Sequence, residues 1–118
     1  MTNIDDYADY AMSSWSSSKP VSKPEDLTDK DLYVMSLGFP GEVGEACEKL
    51  KKRVRDEGIP GCEFDKKAFM KEMGDAIYYW AMLLNYFGVK PSDVLAMNIE
   101  KSTDRRIRGV EHGSGDDR

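Results

Sequence analysis

Histidine and cysteine are almost missing from this chain, which has one of the first and two of the second in 118 residues. Cys47 and Cys62 lack a C-x-x-C spacing, and His112 lies far from both along the chain. That argues against a zinc site and leaves two free thiols, as expected in a reducing cytoplasm. No apolar run approaches the length of a membrane span, and the opening MTNIDDYADY has neither a basic n-region nor an apolar h-region. A soluble cytoplasmic protein with no membrane partner is expected. The phosphate-loop pattern G-x-x-x-x-G-K-[ST] is absent, which speaks against an ATP-driven machine. Positive charge is also in short supply, with 17 Lys and Arg against 22 Asp and Glu and a formal net charge of −5. A broad nucleic-acid interface is therefore not expected. An acidic protein can still handle phosphates if a divalent metal supplies the positive charge.

What the chain does have is helical periodicity. Its length suits one domain, and 40% apolar with 33% charged residues fits a small helical protein with wide solvated faces, or one that completes its core by oligomerising. Four helical segments are predicted, with no internal repeat and no strand. The first runs from about Ile4 to Trp15, with Ile4, Tyr7, Ala8, Ala11, Met12 and Trp15 at helical spacing. The Ser- and Pro-rich stretch SSSKPVSKPEDLTD then reads as a connection, and Thr28 or Asp29 as the next N-cap. The second helix carries Leu32, Met35, Phe39, Val43, Ala46, Cys47, Leu50 and Val54 on one stripe, with a kink or break expected at Pro40. Gly58 is its natural stop, within the loop DEGIPGCEF. The third, from Asp65 to Phe87, repeats Phe69, Met73, Ala76, Ile77, Trp80, Leu83, Leu84 and Phe87, and Gly88 ends it. Pro91 opens a fourth helix that runs to about Arg108. Residues 1–110 form the domain, and the polar tail 111–118 is expected to be mobile unless something orders it. Helices joined by short loops predict an all-α, four-helix-bundle-like fold.

Four carboxylates stand out. Glu42 and Glu45 are three residues apart on the second helix, and so are Glu72 and Asp75 on the third. At ~100° per residue each pair lies on neighbouring turns, on the flank of its apolar stripe. If the two helices pack antiparallel through those stripes, the acidic flanks face each other. Converging carboxylates raise one another's pKa until something neutralises them. An all-oxygen donor set suits Mg²⁺, with Mn²⁺ as a possible substitute, and the missing E-x-x-H pattern argues against di-iron chemistry. The same spacing also occurs in ordinary solvated pairs, and Glu45 could simply pair with Lys49. Gly41, Gly44 and Gly74, each costing up to about 1 kcal/mol in a helix interior, lie beside the carboxylates, where close helix approach or room for a ligand would explain them. On the fourth helix Asn98 and Lys101 continue the face begun by Val94 and Leu95, followed by Arg105 and Arg108. An amide and cations placed this way can snorkel, or can hold a triphosphate or a ribose.

The runs GEVGEACEKLKK, KEMGDAIYYWAMLL and NIEKSTDRRIRG resemble, in order, the MazG-like family of all-α nucleoside triphosphate pyrophosphohydrolases, over roughly residues 30 to 110. The family's E-E-x-x-E reads Gly41-Glu42-Val43-Gly44-Glu45 here, so Gly41 replaces the first glutamate; its E-x-x-D reads Glu72-Met73-Gly74-Asp75. The resemblance implies Mg²⁺-dependent cleavage of a nucleoside triphosphate between the α- and β-phosphates, giving monophosphate and pyrophosphate. It also implies assembly as a homodimer or homotetramer with the site between helices. Glu42, Glu45, Glu72 and Asp75 would be the metal ligands, with Glu42 or Glu45 serving the attacking water. Asn98 and Lys101 match the family's N-x-x-K segment facing the nucleotide, with Lys49 and Arg105 as further substrate-binding cations. Tyr79 matches an aromatic position near the sugar or base, and Trp15 is a further candidate for stacking on the base. Two other readings compete: a dUTP- or phosphoribosyl-ATP-type activity on the same scaffold, and a non-catalytic nucleotide-binding helical module.

Overall fold

The fold was described from a computed structural model, which covers residues 2–58 and 65–118. All four helices are there: α1 (Ile4–Ser14), α2 (Asp29–Glu57), α3 (Lys66–Tyr86) and α4 (Pro91–Arg108), with a single 3-10 turn at Pro24–Asp26 ahead of α2. No strand occurs among the described residues, and no helix there is long and apolar enough to cross a membrane. Most of the loop DEGIPGCEF, including Cys62, lies outside the described residues; Cys47 is a free, exposed thiol.

The helix ends follow local chemistry. The Thr28 hydroxyl accepts from the Asp31 amide while the Asp31 carboxylate accepts from the Thr28 amide, a reciprocal cap that satisfies two otherwise orphan donors. Asp65 caps α3 through the Ala68 amide. Gly58 and Gly109, at φ 85° and 70°, end α2 and α4 in a conformation that favours glycine. The chain does not break at Pro40: α2 runs through it as one helix of 29 residues. Proline removes one i→i−4 bond, but the carbonyl that loses its donor belongs to Ser36, which is exposed to water. Packing against α3 on both sides of the proline holds the helix together.

α2 and α3 form an antiparallel pair: Gly38 sits under the Tyr79 ring, and eleven positions further on Lys49 reaches back to Glu72. α1 lies across α3, and together they bury Ala8, Ala11, Met12, Met35, Ala81 and Met82. The alanines let backbones approach closely, and Met35 and Met82 fill what is left. The predicted stripe of α3 is largely kept but widened: Ala76 is buried, and Phe69, Met73, Trp80, Leu83 and Leu84 are half-buried. Ala81 and Met82 are its fully buried residues, while Ile77 and Phe87 are exposed. α3 must serve two neighbours, so its buried arc widens toward α1, where Asn85 Nδ2 donates to the Ala8 carbonyl at 2.8 Å. On α2, Cys47 and Val54 of the predicted stripe likewise point to solvent.

α4 departs most from the expected bundle. Its first turn rests on α1, where Asp5 takes the Ser92 amide at 2.9 Å and hydroxyl at 2.6 Å. Only Pro91 of α4 is buried, and Leu95, Met97, Ile99 and Ile107 are exposed. The radius of gyration, 17.6 Å, exceeds the ~13–14 Å of a compact domain this size. A closed four-helix bundle is therefore not formed within one chain. The tail 111–118 is a series of turns folded back on α4.

Candidate functional site

Antiparallel packing brings three of the four singled-out carboxylates together. Glu42, Glu45 and Glu72 each offer an oxygen, all within 4.8 Å of one another. Glu42 and Glu72 are half-buried and Glu45 is exposed. Asp75 is exposed and stands outside this group, although its charge acts on Glu42. Lys49, one turn beyond Glu45, places its ammonium 3.5 Å from a Glu72 oxygen, so α2 supplies both acid and cation to the same edge of α3. Lys49 therefore meets Glu72 across the helix pair, where the sequence alone offered Glu45 on its own helix.

The electrostatics match this crowding. Partial burial pushes the Glu42 carboxyl up to about 7, helped by a hydrogen bond with Glu72 and by the charges of Glu45, Asp75 and Glu72. One Lys49 does not offset that much negative charge, so the Glu42 carboxyl stays above the ordinary carboxylate range. A cluster in this state is relieved by any cation that can replace the proton.

The glycines around the cluster divide differently from expectation. A Cβ added at Gly41, Gly44 or Gly74 would meet no atom within 4 Å, so close helix approach does not explain them, and the space beside the carboxylates is open. The glycine that admits close approach is Gly38, where a Cβ would come within 2.6–2.8 Å of the Tyr79 ring. Sequence reasoning passed over it because its partner depends on the register between α2 and α3.

Tyr79 stands edge-on to Tyr78 and Trp15, with ring centroids 5.9 and 6.2 Å away. Trp15 also stacks on Tyr78 at 6.1 Å, and its indole N–H donates to Asp31 at 3.0 Å. The tryptophan is thus built into the core beside the first turn of α2. Asp31 itself was not singled out from the sequence, yet it is buried and gathers Thr28, Trp15 and Ser17 around one carboxylate. Burial raises its pKa, but those hydrogen bonds outweigh burial and hold it below the ordinary value. The Thr28-x-x-Asp31 spacing was the available signal.

Asn98, Lys101 and Arg105 are not brought to the carboxylates. They lie along α4, whose main packing is against α1. Asn98 and Lys101 line an open groove of about 510 Å³ with Val94 and Met97. Lys101 and Arg105 instead hold the tail, with nitrogens 3.3 Å from an Asp116 carboxylate oxygen.

No protein-family model matches the chain, and no solved structure matches it. It is 37% identical over 87 residues to the Gene 37 protein of Mycobacterium phage L5, an alignment covering 74% of this chain and 76% of the phage protein. The chain belongs to the same family as that phage protein.

Proposed function

We propose that the protein hydrolyses (deoxy)nucleoside triphosphates to the monophosphate and pyrophosphate with Mg²⁺, in nucleotide-pool control or house-cleaning. The observation that carries this reading is the Glu42–Glu45–Glu72 cluster on facing helices, where burial and crowding push the Glu42 carboxyl up to about 7. Hard oxygen donors that repel one another fit Mg²⁺ or Mn²⁺, and Asp75, outside the group, adds its negative charge to the site. The resemblance of the three helical motifs to MazG-like pyrophosphohydrolases points to the same chemistry.

Mg²⁺ contributes neutralisation of charge on the phosphate oxygens and a fixed geometry for the reacting group. The chain's own residues do the rest. Glu42 or Glu45 accepts the proton of the attacking water, whose oxygen bonds to the α-phosphorus. The bond from that phosphorus to the α,β-bridging oxygen breaks, and its electron pair leaves with pyrophosphate. Lys49, already beside Glu72, offers a cation to a phosphate oxygen. The open space at Gly41, Gly44 and Gly74 gives the polyphosphate room to lie along the helix pair. Tyr79 borders the sugar or base, and Trp15, fixed behind it, keeps that ring in place.

Asn98, Lys101 and Arg105 complete the site from α4 of a second copy, because their own α4 rests on α1 and its cations hold the tail. The exposed Leu95, Met97, Ile99 and Ile107 on α4, and Leu37 and Met70 on α2 and α3, supply apolar surface for a homodimer or homotetramer. The decisive experiment is a panel of all dNTPs and NTPs with Mg²⁺, resolving monophosphate from diphosphate products. Pyrophosphate release lost in Glu45→Gln and Asp75→Asn, with helicity unchanged, supports the reading. If no nucleotide yields pyrophosphate, the enzyme reading fails and a non-catalytic helical module takes its place.

A further inference from the structure

Resting on the proposed nucleotide reading, we propose that residues 110–118 form a strap that occupies the Lys101–Arg105 cation pair with the Asp116 carboxylate until a polyphosphate displaces it. The strap is built, not merely near. The Arg105 guanidinium donates to the Gly115 carbonyl, the Asp116 carbonyl and the Asp116 carboxylate, at 3.3, 2.6 and 3.3 Å. Lys101 Nζ reaches the same carboxylate oxygen at 3.3 Å. One turn further, Arg108 donates to the Arg118 carbonyl at 2.5 Å.

Arg118 then closes the segment on itself. Its guanidinium donates to the carbonyls of Val110, Gly115 and Glu111 at 2.9, 2.6 and 2.7 Å. The glycines let it fold this tightly: Gly109 and Gly115 have φ of 70° and 81°, and a Cβ at Gly113 would come 2.5 Å from Arg118 Cδ. The result puts two carbonyls and one carboxylate where a phosphate would present its oxygens, and leaves the Arg105 side chain 11% exposed.

The clasp is made to yield. The Asp116 side chain is 83% exposed, so its ion pairs are screened by solvent and weak. A triphosphate carries more charge and can take Arg105 in two-pronged fashion, so it outcompetes a single carboxylate. Ligand binding and tail release become one event. The carbonyls held by Arg105 and Arg108 are then freed, and residues 110–118 leave α4.

The test is binding of inorganic tripolyphosphate without added metal to the full chain, by calorimetry at low salt. Wild type is compared with Asp116→Asn, Arg118→Ala and Lys101→Ala, with backbone ¹⁵N relaxation of 111–118 recorded alongside. The strap predicts about three- to tenfold tighter binding for Asp116→Asn and Arg118→Ala, weaker binding for Lys101→Ala, and a tail that becomes mobile on ligand addition. If Lys101→Ala weakens binding but neither tail variant changes it, the strap is overturned while the cations keep their nucleotide role. If Lys101→Ala also leaves binding unchanged, the nucleotide role of these cations falls and the strap falls with it.

Discussion

Replacing Glu42 by glutamine should stabilise the metal-free protein at pH 8 and remove most of its response to Mg²⁺. Glu42 faces the charges of Glu45, Asp75 and Glu72 at a half-buried position. With solvent screening, each like-charge neighbour costs from a few tenths to ~1 kcal/mol, so the three together amount to about 1–2 kcal/mol. The pH dependence has a definite sign. A carboxyl raised to about 7 in the folded state contributes stability that is complete below its unfolded value of about 4.5, and that stability is lost as pH rises through 7. Wild type should therefore be more stable near pH 5 than at pH 8 on this account, and the advantage of Glu42→Gln should vanish at pH 5, where wild-type Glu42 is itself neutral. For a chain of this size about 1 kcal/mol corresponds to roughly 4 °C in Tm. Mg²⁺ at tenfold excess over its Kd would stabilise wild type by about 1.4 kcal/mol, and more at pH 8 than at pH 5, because the metal displaces a proton. Thermal melts followed by circular dichroism, at both pH values with and without Mg²⁺, read all of this. A Glu42→Gln protein that is less stable than wild type at pH 8, or that gains as much from Mg²⁺ as wild type, refutes the reasoning.

Four further outcomes are expected. Gly38→Ala should lose about 1–2 kcal/mol, since crowding the Tyr79 ring costs more than the ~1 kcal/mol of helix propensity it gains. Gly74→Ala, with open space around it, should gain up to ~1 kcal/mol in the metal-free protein; urea titrations distinguish the two, and equal effects would remove the assigned packing role. Asp31→Ala leaves the donors of Thr28, Trp15 and Ser17 without their acceptor, and should cost about 3 kcal/mol in the same titration with a shift in tryptophan emission. Because Asp31 is depressed, its contribution is present above its unfolded value and lost as pH falls below it. Activity per chain should rise with protein concentration through the range where the oligomer forms in light scattering; strict proportionality down to the monomer would rule out a site completed by a second copy.

Local rules read well from this sequence and longer-range ones did not. Thr28, Asp65, Gly58, Gly88 and Pro91 mark helix ends because capping involves only residues within a turn of one another. The i, i+3 carboxylates were legible for the same reason. Which of them converge was not: Glu72 enters the cluster and Asp75 stays outside it, a difference set by the register of α2 on α3. A single period implies one buried face, whereas α3 has two neighbours and buries Ala81 and Met82 beside its predicted stripe. Pro40 shows a local rule overruled, since packing on either side maintains the helix at the cost of one hydrogen bond. The docking of α4 leaves no periodic signature at all, because its apolar residues are spread around the helix and remain exposed.

The placement of charge explains why a second copy matters to the proposed chemistry. Within one chain the carboxylates that suit a metal lie on α2 and α3, while Lys101, Arg105 and Arg108 cluster at the C-terminal half of α4. Those cations favour that position in their own right, since a helix C-terminus carries partial negative charge. A metal-bound triphosphate needs both halves: carboxylates for the metal, cations for the oxygens the metal leaves unmet. A ligand that touches two halves on different chains binds more tightly to the assembled form, and by linkage it strengthens assembly by the same factor. The tail fits this logic: Arg108 is already paired with Asp104, whereas Lys101 and Arg105 find their carboxylate in the tail. Asp116 covers them in the meantime, through contacts weak enough to be exchanged.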